Sequence, residues 1–165
     1  MIEIEEMNRG RMIDLLERVG YGHLGCSRNN LPYVVPVHYA YDAPLIYIYT
    51  TEGKKSEIIR VNSNICLQVE DVDDNENWES VIVIGEAVRV SSPEERETAL
   101  ALLAKRNPAM APAVSIHWMD NWVRENIEVI YKIEPRMMTG RATLKRDETD
   151  ASFAPPSERQ KSSIY

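Results

Sequence analysis

Three strand-like runs follow one another between residues 22 and 49, and the turns between them are very short. Strands joined this tightly pair antiparallel, because a parallel partner needs a crossover of a dozen residues or more. Residues 22–28 form the first run. Asn29-Asn30 is a turn signal, since Asn tolerates left-handed backbone angles. Residues 32–41 form the second run, and Pro32 and Pro36 place it near an edge or a bulge. Asp42-Ala43-Pro44 then turns the chain into Leu45–Tyr49. This stretch sets an antiparallel sheet and excludes a chain of βαβ units.

The remaining pattern extends that sheet. Residues 6–19 carry Met12, Ile13, Leu15, Leu16 and Val19 at helical spacing. A short helix is expected from Lys54 to about Arg60, a strand over Ile65–Val69, and an acidic turn over Asp71–Asn77. Trp78–Val90 is a long β-run in which Val81, Ile82, Val83 and Ile84 are consecutive. Such a run predicts burial on both faces, with a partner subunit as the second cover. Ser92-Pro93-Glu94-Glu95 has the form of a helix start: Ser92 caps, Pro93 takes the first helical position and Glu95 completes a capping box. A further helix is expected over 115–125 and a last strand over Glu128–Thr139. The reading is therefore a mainly β fold with peripheral helices, an antiparallel barrel over 1–141, and a polar C-terminal tail over 142–165.

Bulk properties narrow the function. The chain has 165 residues and a net charge of −7, so it lacks the basic footprint of a general nucleic-acid binder and is a poor match for an acidic membrane surface. The acidic N-terminus is not a signal peptide, and no apolar run has the length of a membrane span. Cys26 and Cys66 read as two buried free thiols, and the cytoplasm is the expected compartment. The three histidines are too scattered for a metal site, no Gly-rich dinucleotide fingerprint follows a strand, and no nucleophile motif is present. Catalysis would then rest on a cofactor.

Two segments carry chemistry. Thr50-Thr51-Glu52-Gly53-Lys54-Lys55 puts two lysines at a helix N-terminus, where the partial positive charge favours anions. A phosphate held by the hydroxyls of Thr50 and Thr51, the backbone near Gly53, and Lys54 and Lys55 would explain them. Solvent-facing lysines explain them equally well. Val35-Pro36-Val37-His38-Tyr39 is the second segment. Pro36 leaves backbone groups free for a ligand, and His38 can hydrogen-bond or donate a proton, or be a half-exposed strand residue without a role. Val37 and Tyr39 share one face of the strand, and His38 shares the other with Ala40.

Four stretches in this order resemble the pyridoxamine-5′-phosphate-oxidase-like, FMN-binding split-barrel superfamily. They are Gly22-His23-Leu24-Gly25-Cys26, Pro32 to Asp42, Ile46 to Lys55 followed by Ile59-Arg60-Val61-Asn62, and Trp78 to Ala87. Within the superfamily the chain looks most similar to the nitroimidazole-resistance-type flavoproteins. The resemblance implies a homodimer of split antiparallel barrels with FMN at the interface and a small-molecule substrate. By carry-over, Val35, Pro36, Val37, His38 and Tyr39 would line the flavin ring. Thr50, Thr51, Gly53, Lys54 and Lys55 would hold its phosphate, and Trp78, Ser80 and Val81 would approach from a neighbouring strand or subunit. His38 would be the catalytic residue. Glu134–Arg141 differs from the arginine-bearing motif with which pyridoxamine phosphate oxidases hold their substrate, so vitamin B6 activity is not implied. A flavin carrier without catalysis, and a barrel that binds haem or a deazaflavin, are the alternatives.

Overall fold

The computed structural model describes residues 2–107 and 128–143. The elements run β1 (Ile4–Glu6), α1 (Arg9–Arg18), β2 (Tyr21–Arg28), β3 (Leu31–Asp42), β4 (Leu45–Thr51), α2 (Lys54–Val61), β5 (Asn64–Val72), β6 (Trp78–Arg89), α3 (Pro93–Arg106) and β7 (Glu128–Thr143). Every strand pairing is antiparallel. The order is β1-β7-β4-β3-β2-β5-β6, and β6 pairs again with β7. The sheet therefore closes on itself as a barrel, with β1 added outside the ring along the end of β7.

The two early hairpins form as their turn residues dictate. Asn29 and Asn30 both take left-handed backbone angles, φ 52° and 61°, which suits a two-residue hairpin whose twist matches its strands. Arg28 and Leu31 close it. Asp42 and Leu45 close the second. The expected helices at 6–19 and 54–60 are present as α1 and α2. The strand β1 was not expected; it is three residues long and largely exposed, held by pairing with β7 and by the ion pair of Glu5 with Arg11. β7 continues past Thr139 to Thr143, whose side chain is buried. The helix expected over 115–125 and residues 144–165 of the tail lie outside the described residues.

Two cores hold the fold. The inner one fills the barrel with Leu24, Tyr39, Ile46, Ile48, Leu67, Val69, Val81 and Val83, and α1 closes one end with Leu15 and Leu16. These α1 residues recur at helical spacing from Met12, and Asn8 caps the helix by accepting from the Arg11 amide at 2.9 Å. The outer core lies between α3 and the outside of β3, β4 and β7, with Ala40, Tyr47, Ile130, Ala99 and Leu103. Ser92 caps α3 as expected, but Glu95 does not complete the capping box. Its carboxylate is taken by Lys132 at 2.8 and 2.9 Å, a charged partner that outcompetes a backbone amide.

Among the described residues, α3 packs on the outside of β3, β4 and β7 and not on that of β2, β5 and β6. The run Val81–Ile84 is therefore covered on one face only among the described residues. Val81 and Val83 are fully buried, whereas Ile82 and Ile84 are 42% and 43% exposed. Cys66 sits on this bare face and is exposed, so only Cys26 is the buried thiol expected.

Candidate functional site

The barrel opens along one edge of β3. The Tyr39 amide donates to the Gly20 carbonyl at 3.0 Å, on the β2 side. Backbone direction alternates along a strand and hydrogen-bonded pairs recur every second residue. Residues 33, 35, 37 and 39 therefore turn their backbone groups toward β2, and residues 32, 34, 36, 38 and 40 turn theirs away. Ala40 and His38 meet Tyr47 and Tyr49 of β4. Beyond His38, β4 has left to pair with β7 through Thr50 and Thr51. No described strand pairs with the far side of Pro32, Val34 and Pro36.

This explains the prolines. Each lacks its N–H at a position where that group would have faced no partner strand, so neither removes a ladder bond. The edge offers the carbonyls of Pro32, Val34 and Pro36 and a single donor, the Val34 amide. The edge expected from Pro32 and Pro36 is confirmed. Val34, absent from the residues singled out by sequence, is its centre. Val35 is half-buried toward the barrel interior, and Val37 and Tyr39 are buried there. Tyr39 donates its hydroxyl to the Leu16 carbonyl at 2.9 Å, and burial pushes its phenol well above the ordinary range.

At one end of this edge stands the start of α2. Lys54 Nζ lies 4.9 Å from the centroid of the Tyr33 ring, a cation–π contact that brings the helix to β3. Among the described residues, neither Lys54 nor Lys55 has a salt-bridge partner; nearby Glu52 is engaged by Arg89 and Arg60. Lys55 is half-buried beside β2, and this burial lowers its pKa, with Cys26 and Glu52 opposing. Gly53 precedes the helix at φ 158°, ψ −162°, a region that only glycine occupies readily. It provides no side-chain cap, whereas α1 and α3 are capped by Asn8 and Ser92. Thr51 is exposed at this mouth, and Thr50 is buried.

His38 marks the other end. Its Nδ1 is 3.3 Å from Asn107 Oδ1, while Asn107 Nδ2 donates to the Tyr39 carbonyl at 3.3 Å. With the amide so oriented, its oxygen accepts from Nδ1–H, and Nε2 of the neutral ring is left as an acceptor. Tyr21 meets both His38 and His23 edge-on, with ring centroids 5.6 Å apart in each case. Asn107 and Tyr21 were not singled out by sequence; no local pattern marks the contact of His38 with Asn107, 69 residues away.

The third group lies apart. β2 and β5 separate β6 from β3, so Trp78 and Ser80 are not beside His38 within one chain. Both line a cavity of about 560 Å³ with Met7, Met12 and Arg141. Val81 is fully buried in the barrel core.

Among the described residues, no helix is long and apolar enough to cross a membrane. Solved structures share the fold. A FAD-binding protein from Mesorhizobium loti matches 88% of this chain and 100% of its own at a TM-score of 0.70 and 23% identity. A candidate 5-nitroimidazole antibiotic resistance protein from Bacteroides thetaiotaomicron matches over 87% and 89%, at a TM-score of 0.67 and 19% identity. An uncharacterised protein of Rhizobium meliloti (strain 1021) is 28% identical over 123 residues, covering 72% of this chain and 82% of its own. The family model for pyridoxamine 5′-phosphate oxidase matches residues 8–142, most of the chain. With its antiparallel barrel, this protein belongs to the pyridoxamine 5′-phosphate oxidase family of split barrels.

Proposed function

We propose that this protein binds FMN at the open edge of β3 and works, as a homodimer, as an oxidoreductase of small molecules. The observation that carries the reading is the unpaired run Pro32–Val34–Pro36, ending at the uncapped, lysine-bearing start of α2. A flavin's pyrimidine ring has one N–H donor and several acceptors, which complement a row of carbonyls around one amide. Its phosphate suits the free amides of α2 with Lys54, Lys55 and Thr51. Val35, Val37 and Tyr39 back this edge from the barrel interior, and Thr50 and Gly53 shape the turn into α2. The FAD-binding descriptions of similar structures support a flavin in general; the compact phosphate cradle favours FMN.

Bound flavin would supply reversible two-electron transfer. His38, with Nδ1–H held by Asn107, would present Nε2 to exchange a proton with substrate. The dimer is supported by the bare outer face. Val34, Gly25, Cys66, Ile84 and Met137 stand side by side, one from each of five neighbouring strands, and Val34, Ile84 and Met137 are 62%, 43% and 56% exposed. A second copy covering such a row would remove it from water, and would bring Trp78, Ser80 and Val81 of β6 into the interface region.

The experiment is cofactor identification followed by a phosphate test. The purified protein is expected to be yellow and to release FMN on denaturation, and NAD(P)H followed by a quinone or nitro compound should reduce and reoxidise it. Lys54→Ala with Lys55→Ala should weaken FMN by about a hundredfold and riboflavin by less than threefold, since the lysines act on the phosphate alone. A colourless protein that ignores added FMN, or equal losses for both ligands, overturns the assignment.

A further inference from the structure

Strand β3 has a second open edge, at its other end and on its other side. The Tyr39 amide donates to the Gly20 carbonyl at 3.0 Å, and Asn107 Nδ2 donates to the Tyr39 carbonyl at 3.3 Å. Backbone direction recurs every second residue along a strand, so the amide and carbonyl of Tyr41 point the same way. β2 begins at Tyr21, opposite His38, and β4 lies on the far side of Tyr41. Among the described residues, no strand pairs with this side of Tyr41.

The edge opens into a cleft of about 530 Å³, within the range of small-molecule sites. α1 packs on the inner face of β3 and α3 on the outer face. The two helices converge at Gly20, where an added Cβ would stand 3.2 Å from Arg106 Cγ. Between them the end of β3 is the floor, with Ala40 and Tyr41. A residue from each face of the strand lines one cleft because the strand ends the sheet here.

The two walls carry opposite charge. α1 contributes Asp14 and Glu17, and its Arg18 is engaged by Asp71 and Glu79. α3 contributes Lys105 and Arg106, with Leu102 one turn before Arg106. Among the described residues, Asp14, Glu17, Lys105 and Arg106 have no salt bridge, with each other or elsewhere.

We propose that this cleft binds a dipeptide with both termini free. Its ammonium lies against Asp14 and Glu17, its carboxylate against Lys105 and Arg106, and its peptide group on the backbone of Tyr41. Two unpaired carboxylates facing two unpaired cations select a ligand that carries both charges, and the free amide and carbonyl between them suit a peptide group. A guanidinium also matches a terminal carboxylate in shape. A free amino acid holds both charges on one carbon and cannot span the walls, whereas two extended residues reach about 7 Å. Leu102 gives an apolar side chain a place to pack. The site uses neither the Pro32–Pro36 edge nor α2, so it stands whether or not flavin is bound.

The test is alanyl-leucine titrated into the ¹⁵N-labelled full chain. The Tyr41 amide resonance is expected to shift along a saturating curve, and free leucine to bind more weakly. Arg106→Gln keeps the Cγ beside Gly20 and removes the charge. It should weaken alanyl-leucine about fivefold and alanyl-leucinamide by less than about twofold, the size of a partly exposed ion pair. Asp14→Asn should likewise weaken alanyl-leucine and spare N-acetyl-alanyl-leucine. A Tyr41 amide that does not move overturns the proposal. So does a substitution that affects both members of its probe pair equally, and leucine binding as tightly as the dipeptide overturns the two-wall assignment.

Discussion

Lys54 and Tyr33 are in contact across the mouth of the barrel, the ammonium 4.9 Å from the ring centroid. The contact joins the first residue of α2 to the strand whose edge is open. Tyr33→Leu keeps an apolar body and removes the ring's attraction, worth about 0.5–1 kcal/mol at a partly exposed site. Urea unfolding should register a loss of that size. FMN affinity should fall about threefold to tenfold with riboflavin little changed, measured by fluorescence quenching. Riboflavin falling in parallel would show that Tyr33 serves the ring and not the lysine.

Lys55 gives a pH signature. Its burial lowers the pKa below the usual lysine value near 10.5. In the window between the folded and unfolded values, the unfolded chain binds more protons, so stability rises as pH climbs through it. Lys55→Met should abolish that rise in urea midpoints as pH approaches the ordinary lysine value from below. A phosphate placed beside Lys55 favours the charged form, so FMN binding should take up protons increasingly over the same window. Calorimetry in buffers of different ionisation enthalpy reads this directly, and proton release instead would count against the placement.

Tyr39 acts as a structural post. Its side chain is fully buried and its hydroxyl reaches the Leu16 carbonyl at 2.9 Å. Tyr39→Phe leaves that carbonyl without its partner, at a cost of about 1–3 kcal/mol. Urea denaturation should show the loss, and flavin affinity at 25 °C should stay within twofold. A large affinity change without a stability change would give Tyr39 a direct role.

Gly22 is a point of close approach. An added Cβ would stand 2.5 Å from the Gln68 carbonyl oxygen, a backbone atom of the paired strand β5. Gly22→Ala forces β2 and β5 apart and should destabilise by about 1–3 kcal/mol. Thermal unfolding checks this. Gly53→Ala, with nothing within 4 Å of its added Cβ, would instead act through backbone strain alone.

Ile84 tests the dimer. It is 43% exposed at the centre of the bare face. Ile84→Lys places a charge there, harmless in a monomer and costly in a packed interface. Light scattering should report a dimer for the parent and a monomer for the variant. An unchanged mass would place any interface elsewhere.

The hairpins, α1, α2 and the Ser92 start of α3 were legible because each rests on a local rule: paired asparagines, apolar spacing, an uncapped or capped helix end. The parity of β3 was missed, although the two-residue turn at Asn29-Asn30 fixes which residues face β2, and so Val34, at the centre of the open edge, was not singled out. What sequence hid was long-range. Glu95 finds Lys132 in a distant strand, Lys54 finds Tyr33, and Asn107 orients His38. The run Val81–Ile84 looked buried on both faces because four consecutive apolar residues do not tell one covered face from two, whereas among the described residues only Val81 and Val83 of the run are buried.

The prolines of β3 have a further consequence. An exposed strand edge normally invites another strand, and fibril growth begins at such edges. An incoming strand here would find donors missing at residues 32 and 36, with only Val34 between them. Two of three successive rungs of any intruding ladder would lack a donor. The edge is thus a poor template for a further strand, and the barrel can stay open there without seeding its own aggregation.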